Sequence, residues 1–550
     1  MLTCKRYPRI ARGGAGLRPS APGRREFIRQ LGVAGGLALA PGLIHPLRAQ
    51  WGAPAAPSPV FTLGVASGDP GADSVVLWTR LAPDPLNGGG MGRSPVEVIW
   101  QVATDPSMND VIRAGSVMAL PRNGHALSVT VDGLVSDAWY YYQFSYAGEQ
   151  SRIGRTRTFP APGATPGGMR FALVSCQDFE AGYYAAYRDI SSLSLDFVMH
   201  VGDYIYETAA DRSVPAERRH RGAETTSVDD YRNRYALYRL DPHLQDAHAA
   251  FPFILTWDDH EVDNDYAGVF PEDDQTAQEF LRRRANAYQV YAETMPLRSN
   301  VREVNGRMNL YRTLSFGDLA QFFVLDGRQM RSDQPCEDEP PVLQACPAIL
   351  DPAATMLGDE QEAWLFSNLR SSRAIWNVLA QQVMMMRWDL GSLLGRNPPL
   401  NVFNVDAWDG YQVARDRIMA FLRDNQIANA VVLTGDIHSS WAADLKSDFT
   451  DPGSPIVGAE FVCSGITSVF GDAYVPPVVE TLPANPHIRF FDGLHRGYAL
   501  CTVTPDSWRT DYRAVTRVPS PFFTVPSADI PLFDLASFRL TAGQPGLTGI

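Results

Sequence analysis

An α/β catalytic domain preceded by an all-β domain is the architecture this sequence predicts, and three observations carry it. The runs 171–174 (FALV) and 197–201 (FVMHV) are short, continuous and apolar, as buried parallel strands are, and a helix-like segment at 183–190 lies between them. They form a βαβ unit inside the stretch 169–207. Ahead of it, residues 58–160 hold only short alternating runs broken by turn residues, with no sustained helical period. Between the two, PAPGATPGG at 160–168 has the composition of a linker. A chain of 550 residues has room for both domains.

Residues 1–50 differ from the rest. Arg24, Arg25 and Arg29 precede the apolar run 31–44, and small residues follow around Ala49. The run is too short, and too broken by Pro41 and Gly42, to span a bilayer, so it predicts a removable export signal and no stable membrane anchor. The order Arg24-Arg25-Glu26-Phe27-Ile28-Arg29 resembles a twin-arginine signal, with Gly23 where Ser or Thr is usual. This implies the bacterial twin-arginine export machinery as a partner and a periplasmic or secreted location. Loss of residues 1–50 removes nine Lys/Arg and one acid, which moves the formal charge from -13 to -21. A protein this acidic is a poor binder of nucleic acid or anionic membrane unless bound cations reverse the sign locally. Five cysteines then remain. Cys336 and Cys346 flank an acidic, Pro-rich loop and are the expected disulfide; Cys463 and Cys501 read as core residues, and Cys176 falls in the site.

Within the expected β-sandwich domain, 51–165, strands are predicted at 75–79, 96–102, 126–131, 139–146 and 153–159. The absence of cysteine there favours a fibronectin-like over an antibody-like variant. The catalytic domain is expected over 166–520. After the βαβ unit comes a charged, helical excursion at 212–250. The strand 253–256 leads straight into Trp257-Asp258-Asp259-His260-Glu261, and a helix follows at 277–294. The strand 320–325 ends in Asp326-Gly327-Arg328-Gln329. A further strand at 375–380 precedes AVVL at 430–433, which delivers Gly435-Asp436-Ile437-His438-Ser439-Ser440. Strand-like runs at 499–503 and 510–518 follow. The Pro- and Ser-rich end, 521–550, reads as a tail.

Each polar cluster alone is explained by ordinary structure. A Gly-Asp after a strand is usually a turn, an Asp-Asp-His-Glu run is often a helix start, and a thiol behind a strand is often inert core. Together they are harder to dismiss. Burying this many acids costs several kcal/mol per charge unless cations neutralise them, roughly the price of any unpaired buried ion.

Cys176-Gln177-Asp178, Gly202-Asp203-Tyr204-Ile205-Tyr206-Glu207, Trp257-Asp258-Asp259-His260-Glu261 and Gly435-Asp436-Ile437-His438 together resemble the motif series of the PhoD-like alkaline phosphatases, within the wider metallophosphoesterase and purple acid phosphatase group. The resemblance extends to FTLGVASGDP at 61–70, Asp406-Ala407-Trp408-Asp409-Gly410-Tyr411 and Asn485-Pro486-His487-Ile488, nearly the whole chain. It implies a metallophosphoesterase-type β-sandwich core flanked by helices, preceded by an immunoglobulin/fibronectin-like domain. It also implies Fe³⁺ on Cys176, Asp203, Tyr206 and His438, with Asp203 bridging to Ca²⁺ on Asp259 and Asp436. Asp178 is a further calcium ligand on this view, for one or two Ca²⁺ in all. Carboxylates suit a hard cation, while thiolate, phenolate and imidazole suit iron.

The implied reaction is phosphate ester hydrolysis, with iron presenting a hydroxide or oxo nucleophile, calcium neutralising the phosphoryl oxygens and His260 either stabilising the pentacoordinate phosphorus or protonating the leaving oxygen. Arg188 and Arg328 read as phosphate contacts and equally well as structural ion pairs. A phosphodiesterase or metal-dependent phospholipase D with the same residues is one alternative. A secreted, non-enzymatic calcium-binding protein is the other. Walker loops and a Gly-x-Ser-x-Gly elbow are absent, so NTPase and serine hydrolase chemistry has no support.

Overall fold

The computed structural model describes residues 59–550 apart from 273–274, 299–300, 302, 305, 337–341, 392–401 and 518–524. The export signal expected at 1–50 lies outside the described residues.

Eight strands make up the N-terminal region. β1 (Val65–Gly68), β2 (Val75–Arg80) and β5 (Ala126–Val131) form one layer. β3 (Val96–Ala103), β4 (Val111–Ala119), β6 (Trp139–Tyr146), β7 (Glu149–Gln150) and β8 (Gly154–Arg157) form the other. Side chains alternate as a pleated strand requires: Tyr140, Tyr142 and Phe144 of β6 turn inward and meet Val75 and Leu77 of β2 and Val98 and Val102 of β3. The layer of β1, β2 and β5 is not a separate sheet. β1 pairs in parallel with β11 (Pro252–Leu255), matching Ser67 with Pro252 and Gly68 with Phe253. The approach is close enough that a Cβ on Gly68 would meet the Pro296 carbonyl oxygen at 2.5 Å and that of Phe253 at 2.7 Å.

A ten-stranded sheet therefore runs through the molecule in the order β26 (Gln544–Gly549), β25 (Leu532–Thr541), β24 (Ser507–Val515), β23 (Gly497–Val503), β9 (Met169–Val174), β10 (Phe197–His200), β11, β1, β2, β5. A seven-stranded sheet faces it: β14 (Arg312–Phe316), β15 (Ala320–Val324), β17 (Trp376–Ala380), β19 (Ala430–Thr434), β21 (Ile456–Val462), β20 (Ser440–Lys446), β22 (Ile488–Asp492). Two short ladders, β12 (Glu303–Val304) with β13 (Arg307–Met308) and β16 (Val342–Gln344) with β18 (Val402–Asn404), sit outside these sheets.

Both sheets are buried on two faces, which is why their central strands read as continuous apolar runs. Phe171 and Leu173 pack between the sheets against Phe322, Val378 and Leu433, and the Phe171 and Phe197 rings stack 4.7 Å apart. Ala172 and Val174 turn the other way. There they meet the layer formed by α1 (Ala185–Ser192), α2 (Val228–Arg239), α3 (Pro242–Ala250) and α4 (Ala277–Thr294). Reciprocal side-chain caps open α2 (Ser227 with Asp230) and α4 (Thr276 with Glu279). On the far side, α5 (Gly358–Ser371), α6 (Gln412–Asp424) and α7 (Val475–Thr481) cover the seven-stranded sheet.

The segment 521–550, expected to be a tail, contributes β25 and β26 to the edge of the ten-stranded sheet. Phe538, Leu540 and Leu547 pack into the inter-sheet core, because β24 offers an unpaired edge and the alternation Phe538-Arg539-Leu540 buries one face against it. The Pro- and Ser-rich composition that suggested a tail belongs to the residues before β25. Cys336 and Cys346 form the expected disulfide, and Cys463 and Cys501 are free and buried. Among the described residues no helix is long and apolar enough to cross a membrane.

Candidate metal centre

Four turns rich in ligand-type side chains leave the C-terminal ends of parallel strands. β9 leads to Cys176 and Asp178, β10 to Asp203, β11 to Asp258, Asp259 and His260, and β19 to Asp436 and His438. The first three strands are neighbours in one sheet and β19 lies in the facing sheet, so the turns meet at one end of the sandwich. Cys176, Asp203, Asp436 and His438 all have left-handed backbones, with φ of 54°, 57°, 64° and 57°. For residues other than glycine this region costs about 1–3 kcal/mol each and persists only where the surroundings impose it.

Two groups of ligand atoms result. Atoms of Cys176, Asp203 and His438 lie within 4.8 Å of one another, and so do atoms of Asp203, Asp258 and Asp259; all five residues are buried. Tyr206 joins the first group: its hydroxyl donates to Asp203 Oδ2 at 2.9 Å and lies 2.9 Å from His438 Nε2. Asp203 is common to both groups. Asp203 Oδ1, Asp258 Oδ2 and Asp259 Oδ1 are buried with no hydrogen-bond partner among the described residues. Orphaned carboxylate oxygens at this density fit a bound hard cation, and the thiol, phenol and imidazole set beside them fits iron.

Asp178 and Asp436, also expected as ligands, fall in neither group. The Asp178 carboxylate accepts the Glu180 N–H at 2.9 Å; burial pushes it up, opposed by His260 and His438 close by. Asp436 Oδ1 lies 3.5 Å from Arg328 Nη2. Burial pushes Asp436 up to about 8 against the pull of Arg328.

Arg328 organises the acidic side. Its fully buried guanidinium donates to Asp258, lies 3.4 Å from Asp259 and 3.0 Å from Asp406, and is held well above its ordinary value by these acids despite its burial. Burial would raise Asp259, but Arg328 and His260 outweigh it and keep the carboxyl ionised. Asp406 is shared with Arg331 and Gln334. Glu261 ties two ligand turns together, accepting backbone N–H groups of Tyr204 at 2.6 Å, Asp258 at 2.8 Å and Asp203 at 3.2 Å. Burial beside Asp203 pushes Glu261 up to about 8.

His260 stands beside this centre, its ring centroid 4.1 Å from that of Tyr206. Its Nδ1 is 2.7 Å from Glu207 Oε2, and the other Glu207 oxygen accepts the Asn264 N–H at 3.2 Å. Burial raises Glu207, and His260 with Arg283 more than reverses the shift, so the carboxylate is charged. Glu207 therefore anchors the imidazole through Nδ1.

Sequence reasoning passed over Asp258, Glu207 and Glu261 as functional groups, while Arg328 forms the buried ion pairs that were one of its two readings. Asp258 was visible as one of two adjacent acids, but strand alternation sends neighbours to opposite faces and gives no sign that the turn brings both to the centre. Arg328 follows a strand like the ligands do, and its four acid partners arrive from three separate segments, Asp258 and Asp259 from one, Asp406 and Asp436 from the others. Arg188 forms an exposed ion pair with Asp529.

The family model for the PhoD-like phosphatase matches residues 171–512, and that for the N-terminal domain of PhoD-like phosphatases matches 47–160. The chain belongs to the PhoD-like phosphatase family. This family member is 47% identical over 532 residues to alkaline phosphatase D of Bacillus subtilis (strain 168), covering 95% of this chain and 88% of that protein. It also superimposes on a solved structure of PhoD with a TM-score of 0.84 and 46% identity, covering 90% of this chain and 93% of the other. As a PhoD-like phosphatase it is a phosphoric ester hydrolase, and the two ligand groups above are its candidate metal-binding positions.

Proposed function

We propose that this PhoD-like phosphatase is an exported alkaline phosphomonoesterase whose centre holds iron on Cys176, Asp203, Tyr206 and His438 and calcium on the carboxylate side. Asp203, shared by the two ligand groups, is the observation that carries this reading. The calcium ligands are Asp203 and Asp259, joined by Asp258, with Asp436 and Asp178 as outer candidates for one or two ions. Bound cations supply Lewis acidity toward the phosphoryl oxygens and toward the attacking water.

The chain's own residues do the rest. Arg328 keeps Asp259 ionised and holds Asp258 in place by donating to it. Glu207 holds His260 through Nδ1, so that Nε2 delivers a proton to the departing ester oxygen. Tyr206 and Glu207 belong to one turn, which ties the proton donor to the ligand set; Arg234 secures that turn by donating to the Tyr206 carbonyl. Export would proceed by the twin-arginine route through residues 1–50.

The test is hydrolysis of 4-nitrophenyl phosphate and of its bis-nitrophenyl diester, with and without a calcium-selective chelator and calcium restoration. Chelator-sensitive turnover favouring the monoester is expected. A diester preference would replace the monoesterase reading with a phosphodiesterase one, and turnover indifferent to chelation would remove calcium from the site.

A further inference from the structure

Behind Cys176 lies a short chain of hydrogen-bonding groups that the reaction does not use. Cys176 Sγ is 3.1 Å from Ser175 Oγ, Ser175 Oγ is 3.3 Å from Cys463 Sγ, and Cys463 Sγ is 3.4 Å from the Thr434 carbonyl oxygen. Ser175, Cys176 and Cys463 are fully buried. The members come from both sheets: Ser175 follows β9, Cys463 follows β21 and Thr434 ends β19. The floor of the centre is therefore pinned across the sandwich. Space for the serine hydroxyl exists because residue 435 is glycine, where a Cβ would meet Ser175 Cβ and Oγ at 2.6 Å.

The proton count along this chain decides its direction. The carbonyl of Thr434 can only accept, so Cys463 spends its S–H there, and Ser175 has one proton to share between two sulfurs. While Cys176 carries its own proton, it donates to Ser175, and the serine hydroxyl points at Cys463. A metal-bound Cys176 sulfur has no proton and is the stronger acceptor of the two, because bonds to charged acceptors are roughly twice as strong as neutral ones. A buried anionic sulfur without a donor would also be costly.

We propose that Ser175 is a positioning residue for the metal thiolate, its hydroxyl turning from Cys463 to Cys176 when the sulfur is ligated. This rests on Cys176 being an iron ligand. A donor at the sulfur draws electron density from the metal–sulfur bond and so sets the electronic character of the iron, as hydrogen bonds to thiolates do in iron–sulfur sites. Cys463 acts as the parking partner for the hydroxyl while Cys176 keeps its proton.

The experiment uses the iron-loaded holoenzyme and resonance Raman spectroscopy with excitation into its visible charge-transfer band. Ser175→Ala should raise the iron–sulfur stretching frequency and move the band to longer wavelength. The phenolate modes of Tyr206 should stay where they are and serve as an internal standard. The same variant should hold iron about 10- to 100-fold less tightly in competition with desferrioxamine, the usual range for loss of a group behind a metal ligand. Cys463→Ala should leave the iron–sulfur mode at its wild-type position. An iron–sulfur mode and iron retention unchanged in Ser175→Ala would overturn the proposal, as would a Cys463→Ala shift equal to that of Ser175→Ala, which would assign the effect to packing. Iron-loaded wild-type protein with no iron–sulfur mode would overturn the ligand reading of Cys176, and this inference with it.

Discussion

Glu207→Gln removes one charge from the centre while keeping the side chain's shape. In the wild type the buried Glu207 carboxylate sits 2.7 Å from His260 Nδ1, and in the variant a neutral amide oxygen takes its place. Hydrogen bonds to charged groups contribute about 1.5–3 kcal/mol against about 0.5–1.5 for neutral ones, so the difference is roughly 1–1.5 kcal/mol. At about 1.4 kcal/mol per decade that is about a 5- to 13-fold fall in the share of His260 that carries a proton at alkaline pH, and so in the proton delivery proposed for it. The loss should depend on the leaving group. An alkyl phosphate, whose alkoxide must be protonated as it departs, should show the full fall in kcat, measured by phosphate release. The 4-nitrophenyl ester leaves as a stable anion and should fall less than twofold, the approximate limit of what an unassisted departure needs from the acid. Iron and calcium contents must match the wild type in both assays. An equal proportional loss on the two esters would refute the role of Glu207 in proton delivery and leave it as a prop for the Tyr206 turn.

Arg328→Met should destabilise chelator-treated protein by about 3–5 kcal/mol in urea unfolding, the usual range when one partner of a buried ion pair is lost; an unchanged midpoint would mean the surrounding acids are already neutral. Replacing Cys336 and Cys346 by serine opens a loop with a sequence separation of 10. The entropy of closing such a loop corresponds to about 2.5–3 kcal/mol, which should appear as a lower unfolding midpoint in non-reducing buffer only. Glu460, buried on β21 opposite Val432 of β19, accepts from the Met385 and Met386 backbone and from Thr434 Oγ1, and burial pushes it up to about 7. Because its folded value lies above the unfolded one of 4.5, its contribution is complete below pH 4.5 and is lost as pH rises toward 7. The stability of wild type relative to Glu460→Gln should therefore fall by about 3 kcal/mol across that window, and a flat difference would contradict it.

The strands that build the site were legible because they are buried on both faces. FALV, FVMHV, FILT and AVVL show no polar alternation, and each is followed at once by ligand chemistry, so the elements could be read from the residues, while the grouping of Cys176, Asp203, Tyr206 and His438 was implied by the family resemblance. The part of Asp258 was not legible: that it faces the centre together with Asp259 depends on a turn whose shape is set by Glu261 accepting three backbone N–H groups from two turns. The ion-pair reading of Arg328 was open in the sequence but its partners were not, since the acids at 258–259, 406 and 436 come from three separate segments. The continuity of β1 with β11 has no local signature beyond a glycine that lets two backbones approach. The final strands were hidden by the Pro- and Ser-rich segment before them, and only the short alternation from Phe538 to Leu540 marks them.

The order of strands in the large sheet has a consequence for biosynthesis. β9, the strand that positions Cys176, ends at Val174, yet the neighbour that closes its open edge starts at Gly497, and the outermost strand beyond it ends at Gly549. On the other side, β11 takes its neighbour from residues made long before it. The two ends of the described chain thus become opposite margins of one sheet. A nascent polypeptide must keep the edge of β9 unpaired through most of its translation, and the metal-binding turns acquire their full support only when nearly the last residues have left the ribosome. C-terminal truncation should therefore disable the centre by leaving β9 exposed, even though none of the ligands is deleted.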